Sequence, residues 1–227
     1  MKTTYLLSQD ELRVLLKGNG CEDVTGIFLS QSKIDEQTVL NTLNNLVKRG
    51  LISSNPTGFV MTAELREIIT CLGKSKMFFA VQSKIKSLPN LCCYIGDNVL
   101  VCDVMKQRSY DVKLSMLSYD EFLLLLQDEG YLPDDEWEIP INDDELEEYE
   151  NNLEQAEPLN EALEENSKIF FSIAMSGYSC NMVKRLEVIT YPLYNYIKYY
   201  SDTGVNRCIY SFKRLGRVFK SNICLSE

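Results

Sequence analysis

The chain has 227 residues, of which 45% are hydrophobic and 25% charged, and its formal net charge is −10. This composition predicts one large or two small globular domains that form an apolar core without disulfides. The sequence contains no histidine, which excludes imidazole metal ligands and nucleophiles activated by histidine. It also contains no run of 18 apolar residues and no signal-peptide pattern, so we expect a cytoplasmic protein without a membrane span.

The first 75 residues predict the order helix, helix, hairpin, helix. Ser8 followed by Glu11 is a capping-box pattern, in which each side chain bonds the other residue's backbone N–H at the start of a helix. Apolar residues at helical spacing predict a second helix over 33–49. A short hairpin is expected over 51–61, before a third helix. This order is typical of a winged-helix domain.

A winged helix that binds DNA normally carries basic residues to the phosphates. Here the second helix offers a stripe of Lys33, Lys48 and Arg49, and the acidic residues Asp35 and Glu36 oppose it. A DNA-binding transcription regulator is therefore the second-ranked hypothesis, and nucleic acid is not excluded as a partner.

After residue 75 the pattern changes to that of strands, in two similar modules. The first, 76–130, and the second, 167–227, each predict four antiparallel strands followed by a helix. Predicted strands cover 77–82, 91–95, 99–105 and 110–116, then 168–175, 182–190, 193–200 and 207–212; the helices cover 119–127 and the residues around 215–223. The fold class is thus α+β: a winged-helix-like region followed by two pseudo-repeated β4-α modules joined by an acidic segment.

The charge of the chain is concentrated in the segment between the modules. Residues 128–165 hold 17 Asp/Glu and no Lys/Arg, whereas residues 166–227 hold 9 Lys/Arg and 3 Asp/Glu. Like charges at this density repel one another, so residues 131–166 are expected to form a solvated linker or loose helices. The alternative is that this segment lies against the basic last part of the chain or against a basic partner.

No residue pattern in the chain points to catalysis. There is no glycine-rich phosphate loop, no nucleophile elbow and no zinc-ligand spacing among the eight cysteines, which are expected to be reduced and buried. We therefore predict no enzyme activity, no cofactor and no metal.

A tyrosine-rich stretch is the candidate contact surface, because tyrosine combines a rigid apolar ring with a polar tip. Tyr194 and Tyr196 are expected on one strand face, and a turn should follow the strand. Packing within a half-buried sheet is the alternative explanation for these tyrosines. The predicted partner-binding residues are Tyr191, Tyr194, Tyr196, Tyr199, Tyr200, Asp202, Thr203 and Gly204.

Three short motifs lie in the first 65 residues: LSQDELRVL at 7–15, LNNLVKRGLI at 43–52 and MTAEL at 61–65. They resemble motifs of EspG-type proteins, the substrate chaperones of bacterial type VII (ESX) secretion. Residues 7–15 (LSQDELRVL) resemble the family's L-T-x-D-E-L-D-x-L opening, and residues 43–52 (LNNLVKRGLI) resemble its L-x-x-L-x-x-R-G-L motif. Residues 61–65 (MTAEL) stand in the place of its L-x-P-D-L motif. The long acidic middle, the cysteine content and the small last helix depart from the family.

The resemblance implies a cytosolic chaperone or adaptor that binds a helical secreted protein or protein complex and keeps it soluble. It also implies strand-rich halves related by quasi-twofold symmetry. The sequence leaves open the identity of the partner and the oligomeric state.

Overall fold

The computed structural model describes residues 3–21, 24, 27, 29, 33–75, 77–85, 87–105, 111–134, 168–177, 185–190, 195–201 and 204–221. The chain divides into two compact units. The first comprises Met1–Phe79 and Leu91–Tyr119, and the second comprises Ala80–Asn90 and Asp120–Glu227. Strand β4, Met77–Ser83, begins in the first unit and ends in the second.

The sheet of the first unit contains four antiparallel strands in the order β1-β7-β6-β5. They are β1 (Thr3–Leu7), β5 (Leu91–Ile95), β6 (Val99–Met105) and β7 (Asp111–Leu117). A separate hairpin consists of β2, Ile52–Asn55, and β3, Gly58–Met61. Strand β1 was not predicted, because its partner β7 lies more than a hundred residues away and no local pattern reveals that pairing.

The described residues of the first unit also form three helices: α1 (Gln9–Gly18), α2 (Glu36–Lys48) and α3 (Ala63–Lys74). The predicted capping box is confirmed, since Glu11 N donates to Ser8 Oγ at 3.1 Å and Ser8 N donates to a Glu11 carboxylate oxygen at 2.9 Å. Helix α2 begins three residues later than predicted. The Asp35 side chain accepts from Thr38 N at 2.9 Å and so caps the helix at that point.

The core of the first unit forms where these helices pack on one face of the sheet. Leu12, Leu46 and Leu65 of the helices and Tyr94 and Leu114 of the sheet are all fully buried in one cluster. Burial of this kind of side chain stabilises a fold by roughly 1.5–3 kcal/mol each.

The second unit contains four antiparallel strands in the order β8-β9-β10-β11. They are β8 (Lys168–Gly177), β9 (Arg185–Thr190), β10 (Asn195–Ser201) and β11 (Gly204–Ile209). Helix α4 spans Tyr119–Asp128 and helix α5 spans Phe212–Phe219. The sequence placed a strand over 207–212, but the strand ends at Ile209 because Ser211 caps α5, its Oγ accepting from Arg214 N at 3.2 Å.

Aromatic side chains hold the second unit together. The rings of Phe122 on α4 and Phe219 on α5 are fully buried, with their centroids 5.6 Å apart. Tyr131 is buried after α4, and its hydroxyl donates to the Pro89 carbonyl oxygen at 2.6 Å. Helix α4 packs through Phe122, Leu123 and Leu126, which are buried, whereas Leu124 is 48% exposed.

The α+β fold class predicted from the sequence is confirmed. The winged-helix character of the first 75 residues and the pseudo-repeat of the two modules stay predictions, as do the boundaries at residues 75, 130 and 166. Most of the acidic segment, residues 135–167, lies outside the described residues.

Candidate protein-binding surface

The hairpin formed by β10 and β11 carries the described part of the tyrosine-rich stretch. Its register pairs Tyr196 with Ile209, Tyr199 with Asn206 and Tyr200 with Val205. Because directly paired residues share a face of the sheet, Tyr200 and Val205 lie side by side on one face.

Exposure increases along this hairpin from its base to its turn. At the base, Tyr196, Ile197 and Ile209 are all buried. Toward the turn, Tyr199 and Tyr200 are half-buried and Val205 is 46% exposed. The base therefore fixes the strands in the core, while the far end presents aromatic and apolar surface. We call residues 198–200 with residues 204–206 the hairpin tip.

Charged side chains lie on the same face as Tyr200 and Val205. The Lys198 ammonium stands 5.9 Å from the centre of the Tyr200 ring, within the range of a cation–π interaction. Lys198 pairs across the strands with Glu187, whose buried carboxylate accepts from Arg185 at 2.6 Å. The hairpin tip thus combines half-buried tyrosine rings with positive charge.

The predicted partner-binding residues differ in their position and exposure. Tyr199, Tyr200 and Gly204 belong to the hairpin tip, and the φ of Gly204 is 131°, a value that favours glycine. Tyr196 is 2% exposed and therefore contributes to the core. Four predicted residues lie outside the described ones: Tyr191, Tyr194, Asp202 and Thr203.

Sequence reasoning missed Lys198 and Val205. Both could have been found from the strand register, because pairing Ser201 with Gly204 places Val205 opposite Tyr200 and Arg207 opposite Lys198. Composition alone drew attention to the tyrosines and left their neighbours unnoticed.

The basic stripe proposed for DNA contact is altered by an ion pair. Arg49 donates to both carboxylate oxygens of Glu11, at 2.7 and 2.8 Å, and also to the Leu6 carbonyl oxygen. Its charge is therefore neutralised within the first unit. The other two residues of the stripe, Lys33 and Lys48, are exposed, but Arg49 no longer adds its charge to theirs.

Other surfaces of the first unit are less suited to a single ligand. Leu40, Val47 and Phe59 expose between 38% and 55% of their surface, but individually exposed apolar residues are normal in folded proteins. A wide cavity of about 590 Å³ lies beside α3 and the turn between β5 and β6. Basic and acidic side chains both line this cavity, so it does not favour a ligand of one particular charge.

Cys93 and Cys102 are buried and Cys71 is half-buried, and all three thiols are poorly suited to nucleophilic chemistry. Burial raises the pKa of Cys71 to about 11, and a smaller contribution comes from Glu67. Burial likewise raises the pKa values of Cys93 and Cys102 well above the ordinary thiol value. Thiolate is the reactive form, so these cysteines stay protonated and unreactive near neutral pH.

Two absences apply to the part of the chain that the structure describes. There, no group of three or more Cys, Asp or Glu side chains is arranged to hold a metal ion. None of the described helices is long and apolar enough to cross a membrane.

The fold is similar to that of a known chaperone. The solved structure of the Mycobacterium tuberculosis type VII secretion system chaperone EspG5, in complex with the PE25-PPE41 dimer, matches with a TM-score of 0.54. The match covers 97% of this chain and 96% of EspG5. The chain shares the fold of a type VII secretion chaperone. At 9% sequence identity the likeness to EspG5 concerns the fold alone.

Sequence comparisons add no family. No protein-family model matches the chain, and no curated protein matches it. The resemblance to EspG-type proteins expected from the sequence is confirmed for the fold alone, through the similarity to EspG5.

Proposed function

We propose that the chain is a non-enzymatic adaptor or chaperone that binds a helical secreted protein or protein complex in the cytoplasm. The observation that carries this proposal is the fold shared with EspG5 over 97% of the chain. EspG5 was solved with a protein dimer bound, which supports a secreted protein complex as the partner here.

The hairpin tip is the contact surface in this proposal. Tyrosine rings that are already held by a packed strand lose little conformational entropy on binding, which makes them suitable anchors for a partner. Tyr200 and Val205 form one apolar patch, and Lys198 beside it favours a partner with acidic residues near its apolar contact. Tyr191, Tyr194, Asp202 and Thr203 remain part of the proposed surface.

Tagged full-length chain, isolated from its native cell, tests the function. We expect a helical secreted protein to copurify in stoichiometric amount, and its direct binding is then measured with the two purified proteins. Copurification of a specific DNA fragment instead, with binding that weakens steeply as salt rises, would favour the transcription-regulator hypothesis.

Paired variants test the surface. Tyr200→Ser combined with Val205→Ser should weaken binding at least ~10-fold, since buried aromatic anchors often contribute more than 1.4 kcal/mol. Phe59→Ser is the matched control, because Phe59 is 50% exposed but lies in the first unit. Equal losses in both variants, or a loss in Phe59→Ser alone, would contradict the proposed surface.

A further inference from the structure

Three cysteines of the first unit meet on the side of the sheet that faces the helices. Cys92 belongs to β5, Cys102 to β6 and Cys71 to α3, and all three pack in the apolar core of this unit. Cys93 follows Cys92 in β5 and points to the opposite face, because successive side chains of a strand alternate. Each of these four residues is a free thiol.

Cys92 and Cys102 are direct partners in the register of β5 and β6. Residues paired in this way share a face of the sheet, and their Cα atoms stand about 4.5–5.5 Å apart. A disulfide joins residues whose Cα atoms are about 4.4–6.8 Å apart. The two strands therefore already hold this pair of cysteines at a separation that a disulfide can span.

The two paired thiols differ in their access to solvent. Cys102 is 1% exposed, whereas Cys92 is half-buried, so Cys92 is the thiol that a small oxidant reaches first. Burial raises the pKa of Cys92, and a hydrogen bond with the Tyr94 hydroxyl, 3.7 Å from Cys92 Sγ, partly offsets this rise. Reaction with an oxidant should therefore be slow at neutral pH and should accelerate as the pH rises.

The buried thiol of Cys102 suits the second step of a disulfide-forming reaction. Its pKa is raised by burial, which makes it a poor nucleophile toward molecules in solution. A sulfur activated on Cys92 would lie directly across the strand pair, and a reaction between groups held in this way proceeds at a high effective concentration. Proximity thus compensates for the small thiolate fraction of Cys102.

We propose that Cys92 and Cys102 form a redox-sensitive pair that hydrogen peroxide converts into a cross-strand disulfide. The Cys92 thiolate attacks one peroxide oxygen, the O–O bond breaks, and hydroxide leaves and takes up the thiol proton as water; Cys92 becomes a sulfenic acid. The Cys102 thiolate then attacks the Cys92 sulfur, the S–O bond breaks, and a second water forms with the Cys102 proton. The two thiols lose two electrons in total, and the peroxide gains them.

The disulfide would fasten β5 to β6 within the sheet of the first unit. It would close a loop over residues 92–102, which restricts the unfolded chain and should move urea unfolding to higher concentration. Thiol reductants reverse such a bond, so the change would report the redox state of the surroundings. This inference does not rest on the proposed function, because it involves only the chain and an oxidant.

Peptide mapping of the purified full chain after treatment with hydrogen peroxide tests the proposal. Remaining thiols are alkylated under denaturing conditions, and cleavage before Asp97 separates the two cysteines, so only a disulfide keeps their peptides together. The Cys92–Cys102 link should be at least fivefold more abundant than any other disulfide and should disappear with dithiothreitol. Chain oxidised in urea should give mixed links, because the strand register is lost there.

Single substitutions sharpen the test. Cys93→Ala is the matched control, because Cys93 is the sequence neighbour of Cys92 on the other face, and it should retain the link, as should Cys71→Ala. Cys92→Ala should abolish the link, and Cys102→Ala should accumulate sulfenic acid on Cys92, which dimedone traps. Circular dichroism checks that the variants fold. If Cys102→Ala does not fold, the map of the wild-type chain decides.

Four results would overturn the proposal. They are absence of the Cys92–Cys102 link from the oxidised folded chain, equal abundance of a link from Cys71 to either residue, the same mixture of links in folded and urea-unfolded chain, and disulfides formed mainly between two molecules. Oxidation of Cys92 directly to a sulfinic acid, without a disulfide, would also contradict it, because the partner thiol would then be out of reach.

Discussion

The two units can be compared by their ion pairs and by their apolar surface. In the first unit, Arg49 is bonded to Glu11, so the cation joins α2 to the start of α1. In the second unit, the hairpin tip presents the half-buried rings of Tyr199 and Tyr200 beside exposed Val205. Ion pairs are found in both units, since Arg185 binds Glu187 and Lys220 binds Asp120 in the second. The units differ in apolar surface: under the proposed function, the hairpin tip of the second unit is the part that contacts another polypeptide.

The largest expected effect concerns the core of the second unit. Phe219→Ala should lower the free energy of unfolding by about 3–5 kcal/mol, because it removes a fully buried ring that contacts Phe122. Urea denaturation followed by circular dichroism measures this loss. The control Leu124→Ala, at a side chain 48% exposed, should change stability by less than about 0.5 kcal/mol. Similar values for both variants would show that the second unit lacks a packed core.

A smaller loss is expected from Gly73→Ala in the first unit. A Cβ at Gly73 would overlap Cys21 Sγ, so the substitution should destabilise by about 1–3 kcal/mol, although alanine normally favours a helix. Gly18→Ala is the matched control, since open space surrounds that position and no loss is expected. Adding Cys21→Ala should recover part of the stability lost in Gly73→Ala. Full stability of Gly73→Ala alone would rule out this close approach.

Loss of the Glu11 carboxylate tests the ionic link of the first unit. Glu11→Ala removes the reciprocal half of the capping box and the partner of Arg49, and should cost about 1–2 kcal/mol. Thermal unfolding measures the change. Asp10→Ala, which removes a half-exposed partner of Arg13, should cost less than about 0.5 kcal/mol. A Glu11→Ala variant as stable as Asp10→Ala would mean that the Arg49 contact does not stabilise the unit.

The smallest effect is chemical and leaves the fold intact. At pH 8 the thiolate fraction of Cys71 should be on the order of one in a thousand, because burial raises its pKa to about 11. Alkylation by iodoacetamide should therefore be slow and should accelerate about tenfold for each pH unit up to that value. Mass spectrometry of digested protein measures the rate, with urea-unfolded chain as the reference. Native and unfolded rates that agree at pH 8 would contradict the burial of this thiol.

The sequence could predict those elements of the fold that depend on residues close together in the chain. The capping box of α1 depends on two residues three positions apart, and helices α3 and α4 follow from apolar spacing, with Thr62 capping α3. Strand β1 depends on pairing with β7, and the end of β11 depends on the cap at Ser211, so neither followed from residue periodicity.

The candidate surface was only partly predictable for a similar reason. Tyrosine content located the hairpin, but burial separates Tyr196 in the core from Tyr199 and Tyr200 at the tip. That separation depends on what packs over each strand face, which composition does not show. The Arg49–Glu11 pair likewise joins residues 38 positions apart and was counted from the sequence as a free basic residue.

The central claim is that the hairpin tip of the second unit binds another protein. Isothermal titration of the purified secreted partner into wild-type chain, Tyr200→Ser/Val205→Ser and Phe59→Ser measures this most directly. We expect one tight site in the wild type and in Phe59→Ser, and binding at least ~10-fold weaker in the hairpin variant. Undiminished affinity in a correctly folded hairpin variant would contradict the claim.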